Sequence, residues 1–196
     1  MSALSKRFFT PEEYLALEVP AEYKSQYVDG EIFAMAGAQP WHIEVVDNIT
    51  AALRTRLRGR PCKSYSSEMR VRSKPGNLWT YPDVVALCGK PIFDTDGDPQ
   101  TLLNPQVIFE VLSPSTQTFD RGDKFRRYRQ LESLTDYVLV SSDRRRVEHH
   151  RVQPNGVWIC EEYSHQNSRF RLVTLDCELP LAEIYEGVTF PGMAGE

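Results

Sequence analysis

The chain has 196 residues, of which 41% are hydrophobic and 26% are charged, and its formal net charge is −4. These values are typical of one soluble domain with a sizeable core, which we expect to span residues 1–196. No apolar run is long enough to cross a membrane, and the first residues lack the apolar stretch of a secretory signal. We therefore expect a cytoplasmic protein without membrane contact. The acidic charge argues against a DNA-coating protein, but it does not exclude an enzyme that contacts nucleic acid briefly.

The cysteines are scattered along the chain and include no CxxC pair; they are Cys62, Cys88, Cys160 and Cys177. This spacing favours reduced thiols in a cytosol. We expect neither a zinc site nor a disulfide framework.

The N-terminal third predicts a short helix, a hairpin and a long helix. Residues 10–13 (T-P-E-E) combine an N-cap threonine, a proline at the first helical position and a glutamate at the third. An Asp-Gly pair at residues 29–30 lies between two β-rich runs and favours a tight hairpin. A long helix is predicted from Gln39 to Arg58 because apolar residues recur there at helical spacing. Its predicted inward stripe comprises Ile43, Val46, Ile49, Leu53 and Leu57.

Two polar side chains of this third have alternative interpretations. Glu31 begins the second hairpin strand beside apolar neighbours, and it is either a solvent-facing turn residue or part of a site. His42 lies in the first turn of the long helix, on its predicted inward face. A single inward histidine is more often a satisfied structural residue than a ligand. The residues alone leave both alternatives open.

The rest of the chain predicts alternating strands and helices. Single strands are expected at 62–73, 78–88, 106–112, 136–142 and 170–175, a hairpin at 146–151 and 157–163, and helices at 120–131 and 181–185. Residues 89–105 form a predicted surface loop. Its acids Asp94, Asp96 and Asp98 are not interpreted as a calcium loop because no downstream glutamate follows. The resulting fold class is α/β.

Asp83, Glu110 and Lys124 are the residues that point to chemistry. Each carboxylate lies in an apolar strand, and Lys124 lies on the apolar stripe of the following helix. Burying such groups is costly without a purpose. Paired carboxylates can bind Mg²⁺ together with water and phosphate oxygens, and a lysine can orient water or offset phosphate charge. The alternative is structural, since Lys124 could simply pair with Glu110.

The order of motifs resembles the Uma2-type family of the restriction-endonuclease-like, PD-(D/E)xK superfamily. The resemblance covers most of the chain. The segments that carry it are T-P-E-E-Y, V-D-G-E, the histidine at the long helix start, Y-P-D-V-V, F-E-V-L-S-P-S-T, D-R-G-D-K-F-R-R-Y and D-Y-V-L-V. It implies a mixed central sheet flanked by helices, a metal-dependent nuclease site and a homodimer.

The resemblance also assigns roles to residues. It makes Asp83 and Glu110 the motif acids, adds Glu31 as a further acid beside the metal, and makes His42 a pocket residue. One departure matters, because the superfamily lysine would stand at position 112, which is Leu112. Lys124 would then supply the ammonium from the next helix. Three further residues, which line the pocket or instead cap and pack, are Gln106, Ser113 and Tyr128.

These observations predict an endonuclease that uses Mg²⁺ or Mn²⁺ to hydrolyse DNA. The alternative from another class is a non-catalytic module that keeps the fold and holds nucleic acid or protein on its basic helix faces. The displaced lysine and the acidic net charge support that alternative. A hydrolase of RNA or of another phosphoester is a third candidate.

Overall fold

A six-stranded mixed sheet lies at the centre of the computed structural model, which describes residues 7–35, 37–95 and 99–191. The helices are α1 (Pro11–Glu18), α2 (Pro40–Leu57), α3 (Gln117–Phe119), α4 (Phe125–Tyr128) and α5 (Leu181–Ile184). A π-helical turn, Asp120–Lys124, joins α3 to α4. The strands are β1 (Ser25–Val28), β2 (Glu31–Ala34), β3 (Cys62–Ser66), β4 (Arg70–Ser73), β5 (Leu78–Thr80), β6 (Val84–Cys88), β7 (Thr101–Leu102), β8 (Val107–Leu112), β9 (Asp136–Ser141), β10 (Val147–Val152), β11 (Trp158–Tyr163), β12 (Arg169–Leu172) and β13 (Cys177–Pro180).

The central sheet has the strand order β11-β10-β9-β8-β6-β3, and only its β8–β9 pair is parallel among the described strands. A second sheet has the order β2-β1-β5-β4-β7, and β12 pairs with β13. The β8–β9 connection contains α3, the π-helical turn and α4, as expected for a crossover between parallel strands. The expected mixed sheet with flanking helices is therefore confirmed.

The two faces of the central sheet bury different partners. On one face, Val84, Ala86 and Phe109 pack against α2, the β12–β13 hairpin and α5. On the other face, Val85 and Ile108 pack against the second sheet and α4. Strands covered on both faces read as continuous apolar runs, which is why β6 and β8 lack a polar face.

Local sequence signals placed several elements correctly. Thr10 and Glu13 cap α1 reciprocally, with N···O distances of 2.9 and 3.2 Å. Asp29 and Gly30 have φ values of 48° and 92°, the left-handed pair that a tight hairpin requires. The long helix lies within its predicted range, and the strands of the β10–β11 hairpin lie within one residue of theirs.

Other predictions were wrong because one predicted strand range contains two strands. The run 62–73 is divided between β3 of the central sheet and β4 of the second sheet, and 78–88 is divided between β5 and β6. Pro82 lies in the second break, where its missing N–H cannot join a ladder. The late strand predicted at 170–175 ends at Leu172, as β12, and pairs with β13.

Two predicted helix faces also differ from the structure. Ile43 is 48% exposed, and Val45 takes the buried position at that end of α2. In the helix predicted at 120–131, Arg127 lies off the stripe that carries Lys124 and would point outward, but it is buried and bonded to Gly76 O, Asp29 and Asp123. The π-helical turn changes the rotation of α4 relative to a regular α-helix, so the simple 3.6-residue period does not describe this segment.

The predicted surface loop contains β7 and a buried acid. Asp94 is 3% exposed, and its Oδ2 lies 2.5 Å from the Arg72 guanidinium. Asp96 and Asp98 lie outside the described residues, so the structure adds nothing about them.

The expectation of no disulfide is contradicted, because Cys62 and Cys88 are bonded. They occupy directly opposed positions of the antiparallel β3–β6 pair. Their separation of 26 residues hid this proximity in the sequence. Cys160 and Cys177 are free thiols. In the described part of the chain, no helix has the length and apolarity needed to cross a bilayer.

The turn between β4 and β5 packs closely against α4, which gives a stability prediction. A Cβ on Gly76 would lie 2.7 Å from both Arg127 O and Ser73 Oγ. We expect Gly76→Ala to lower the free energy of unfolding by about 1–3 kcal/mol, because backbone atoms must move. Urea titration measures this change. Gly122→Ala is the matched control, since nothing lies within 4 Å of its added Cβ. An equal loss in both variants would contradict the packing explanation.

Candidate active site

Asp83 lies immediately before β6 and is held from two sides. Its Oδ2 accepts a 2.6 Å hydrogen bond from the Val111 N–H, and its Oδ1 lies 3.1 Å from His42 Nε2. The carboxylate therefore bridges the central sheet and the N-terminal end of α2. Its side chain is 19% exposed and that of His42 is 15% exposed, so this edge of the site is open to solvent.

The segment before Asp83 is anchored to the second sheet and α1. The Tyr81 hydroxyl donates to Glu18 Oε1 at 2.8 Å and accepts from Arg70 at 3.1 Å. Glu18 is itself buried and accepts two hydrogen bonds from Ser25 N, each at 3.1 Å. The position of Asp83 is therefore fixed by the contacts of Tyr81, which precedes it, and by its own hydrogen bond from the Val111 N–H.

Glu110 occupies the middle of β8 and faces the second sheet and α4. It is 4% exposed and lies on the same strand face as Ile108, as the two-residue strand periodicity predicts. The β6–β8 register pairs Val84 with Phe109, the neighbours of Asp83 and Glu110 in the chain, and Asp83 accepts its hydrogen bond from Val111, the residue after Glu110. The two sequence-predicted acids therefore meet at one place in the central sheet.

Lys124 reaches Glu110 from the π-helical turn. Its Nζ lies 2.8 Å from Glu110 Oε1 and 3.2 Å from Asp120 Oδ1. The Lys124 side chain is 6% exposed, so the predicted inward orientation is what the structure shows. Tyr128, one turn further on, places its hydroxyl 3.3 Å from the same Glu110 oxygen. Lysine, acid and tyrosine form one buried polar group.

Asp120 is the member of this group that the sequence reasoning missed. It is 2% exposed, and its backbone carbonyl accepts a 2.9 Å hydrogen bond from the Tyr137 hydroxyl. The spacing contained a signal, because Asp120, Lys124 and Tyr128 recur every four residues. A π-helical turn inside a helix is frequent at functional sites, which fits its presence here.

Three further residues were predicted to belong to the site, and each makes contacts of its own. Gln106 clamps the Cys88 backbone with hydrogen bonds of 2.7 and 3.2 Å, and Ser113 bonds Ser115 and Thr116, so both residues cap structure. Glu31 begins β2, opposite Val28, and is half-buried. Its predicted role beside a metal stays a prediction.

Burial and charge together perturb the buried group. Desolvation raises the pKa of Glu110 from its ordinary 4.5 to about 8, and the charges of Asp120 and Asp83 act in the same direction against Lys124. Burial alone would lower the pKa of Lys124, but the charges of Glu110 and Asp120 outweigh it and raise that pKa. Burial also holds the pKa of the Tyr128 hydroxyl well above its usual value.

The donor set fits a hard divalent cation. Asp83, Glu110 and Asp120 with Lys124 carry a net charge of −2 when all are ionised, and their acidic donors are oxygens. Across the three described stretches, no group of three or more His, Cys, Asp or Glu side chains is arranged to hold a metal. Mg²⁺ does not need one, because it is usually held by one or two carboxylates with water and phosphate oxygens. Asp83 and Glu110 meet that requirement.

The comparison with solved structures establishes the class of fold. A crystal structure from Anabaena variabilis, described as a "putative nuclease belonging to DUF820", aligns with a TM-score of 0.74 over 90% of this chain and 97% of its own. The identity is 17%, so the likeness concerns the fold. The fold shared with that structure is a mixed sheet flanked by helices.

The family follows from the sequence comparisons. Two uncharacterised proteins of Synechocystis sp. are similar: sll1609 at 32% identity, covering 86% of this chain and 94% of that protein, and slr1290 at 31%, covering 92% and 93%. The Uma2 family model, described as "Putative restriction endonuclease", matches residues 11–182. The chain belongs to the Uma2 family, as the motif order indicated.

The raised pKa of Glu110 predicts how stability depends on pH. Between pH 4.5 and about 8 the folded state holds a proton that the unfolded state has released, so this residue makes unfolding easier as pH rises. The slope is at most about 1.4 kcal/mol per pH unit. We expect Glu110→Gln to remove this slope, so the free-energy difference between variant and wild type should grow up to about pH 8 and then level off.

Urea titrations in metal-free buffer at several pH values measure this difference. Glu44→Gln is the control, since Glu44 is exposed on α2 and should follow the wild-type curve. Parallel curves for Glu110→Gln and wild type would show that Glu110 ionises normally in the folded protein.

Proposed function

We propose that this protein is a Mg²⁺- or Mn²⁺-dependent endonuclease that hydrolyses DNA phosphodiester bonds. The observation that carries the proposal is the 2.8 Å contact between Lys124 Nζ and Glu110 Oε1. Lys124 supplies, from the crossover after β8, the ammonium that the superfamily motif would place at position 112. Membership of a family described as "Putative restriction endonuclease" supports the same reaction class.

Each residue of the site has its own proposed role. Asp83 and Glu110 would hold the cation, which when bound lowers the pKa of a coordinated water and offsets charge on phosphorus. Asp83 keeps its orientation through the Val111 N–H and His42. Glu31 is proposed as an additional acid on the metal side.

Lys124 would donate hydrogen bonds to a phosphate oxygen or to the attacking water, and its positive charge would offset the developing anion. The substrate would approach from the side of Asp83 and His42, because these side chains are more exposed than Glu110 and Lys124, at 5% and 6%. His42 would line this entrance.

Two arginines near the C-terminal end of α2 already make hydrogen bonds within the protein. Arg56 binds Glu183 and the Glu178 carbonyl, and Arg60 binds the Asp176 carbonyl. Arg56 lies about 20 Å from His42 along α2, at roughly 1.5 Å per residue. These arginines hold the β13 and α5 segment against the helix, so phosphate contacts are proposed at the opposite helix end.

The resemblance to the family also supports a cytoplasmic homodimer acting on DNA.

Cleavage assays test the proposed function directly. In Mg²⁺ buffer, Asp83→Ala should lower the rate of DNA cleavage by about a hundredfold or more, because a cation ligand worth several kcal/mol is removed. Glu44→Ala, at an exposed acid close to His42 in sequence, should cleave at the wild-type rate. A panel of DNA, RNA and nucleotide substrates run in parallel identifies the phosphoester.

Equal cleavage by wild type and Asp83→Ala would refute the assignment. A Mn²⁺ titration then separates the enzyme from a binding module. Binding that is lost in Asp83→Asn supports the enzyme, whereas no Mn²⁺ binding by wild type supports a non-catalytic module.

A further inference from the structure

The proposed reaction leaves the buried carboxylate of Asp120 without a role. This side chain is 3% exposed and accepts a hydrogen bond from Lys124 Nζ at 3.2 Å. Its backbone carbonyl is held separately by the Tyr137 hydroxyl at 2.9 Å. The carboxylate and its main chain are therefore fixed by independent contacts, in a turn whose π-helical form places both charged residues inside the protein.

A charge conflict exists at Glu110. The same carboxylate contacts the Lys124 ammonium and, under the proposed function, would also hold a divalent cation. Positive charges that share one ligand repel strongly in a poorly solvated site. With Asp83 and Glu110 alone, an ammonium and a divalent cation would leave one uncompensated positive charge. One more carboxylate would make the buried group neutral.

The neighbouring acids of this region are engaged elsewhere. Asp123 binds Arg126 and Arg127, and its side chain is 33% exposed. Glu148 binds Arg121 through a guanidinium contact of 2.9 Å. Asp120 is the acid that the turn directs to Lys124.

We propose that Asp120 is a positioning residue, whose carboxylate holds the Lys124 ammonium and balances its charge so that ammonium and divalent cation can share the buried site. The inference rests on the proposed metal-dependent function. Asp120 is not itself a ligand of the cation: its carboxylate contacts Lys124, and its charge offsets the summed positive charge of the ammonium and the cation. When Glu110 turns to the cation, the contact to Asp120 keeps the ammonium in place.

The first measurement is Mn²⁺ affinity by isothermal titration calorimetry on the full chain. Asp120→Asn removes the balancing charge and should weaken Mn²⁺ binding by about tenfold or more. Asp123→Asn is the matched control, because it makes the same change in the same turn at a partly exposed site. The control should bind Mn²⁺ within about twofold of wild type, since an exposed charge is screened.

The decisive variant removes both charges. Lys124→Met alone deletes a repelling ammonium and should bind Mn²⁺ more tightly than wild type. Adding Asp120→Asn restores the wild-type net charge, so this double variant should return to within about threefold of wild-type affinity while DNA cleavage stays lost. A merely structural Asp120 would leave the double variant as weak as Asp120→Asn, or weaker.

The outcomes distinguish failure of the proposed function from failure of this inference alone. Absence of Mn²⁺ binding to wild type would overturn the proposed function and this inference together. Mn²⁺ binding to wild type with unchanged affinity in Asp120→Asn would overturn the inference alone. If Asp120→Asn does not fold, Lys124→Met and the double variant still give the answer. Equal affinities of those two variants would refute a charge-balancing role, and a weakening of about tenfold would support it.

Discussion

The ammonium of Lys124 lies between two buried carboxylates, 2.8 Å from Glu110 and 3.2 Å from Asp120, and the centre of the molecule is built around this contact. Taking such charges out of water is expensive, and well-packed apolar residues in their place are often neutral or stabilising. Losing one partner, by contrast, leaves an uncompensated buried charge.

Three parts of the fold bring the group together. The β6–β8 pairing brings Asp83 to the N–H of Val111, next to Glu110, and the crossover between parallel strands β8 and β9 carries Lys124 to Glu110. The π-helical turn in that crossover carries Asp120 and Lys124 inward. The second sheet anchors Tyr81 through Glu18 and Arg70, which limits the movement of Asp83.

Family membership and geometry support each other at the one position where the motif departs. Leu112 follows Glu110 on the same strand face and is 5% exposed, packed in the apolar cluster that both sheets share. The ammonium comes instead from a residue further along the chain, and it ends beside the same carboxylate.

The sequence by itself determined the α/β class, the capped start of α1, the Asp-Gly hairpin, the long helix and the family, since these depend on neighbouring residues and on motif order. It also singled out Asp83, Glu110 and Lys124, because charges inside apolar runs are visible without coordinates. The tertiary structure alone decided that the ranges 62–73 and 78–88 are each divided between two sheets, that Cys62 opposes Cys88, and that Asp120 completes the charge group. Those outcomes depend on strand pairing and on a π-helical turn, which bring together residues distant in the chain and leave little trace in local periodicity.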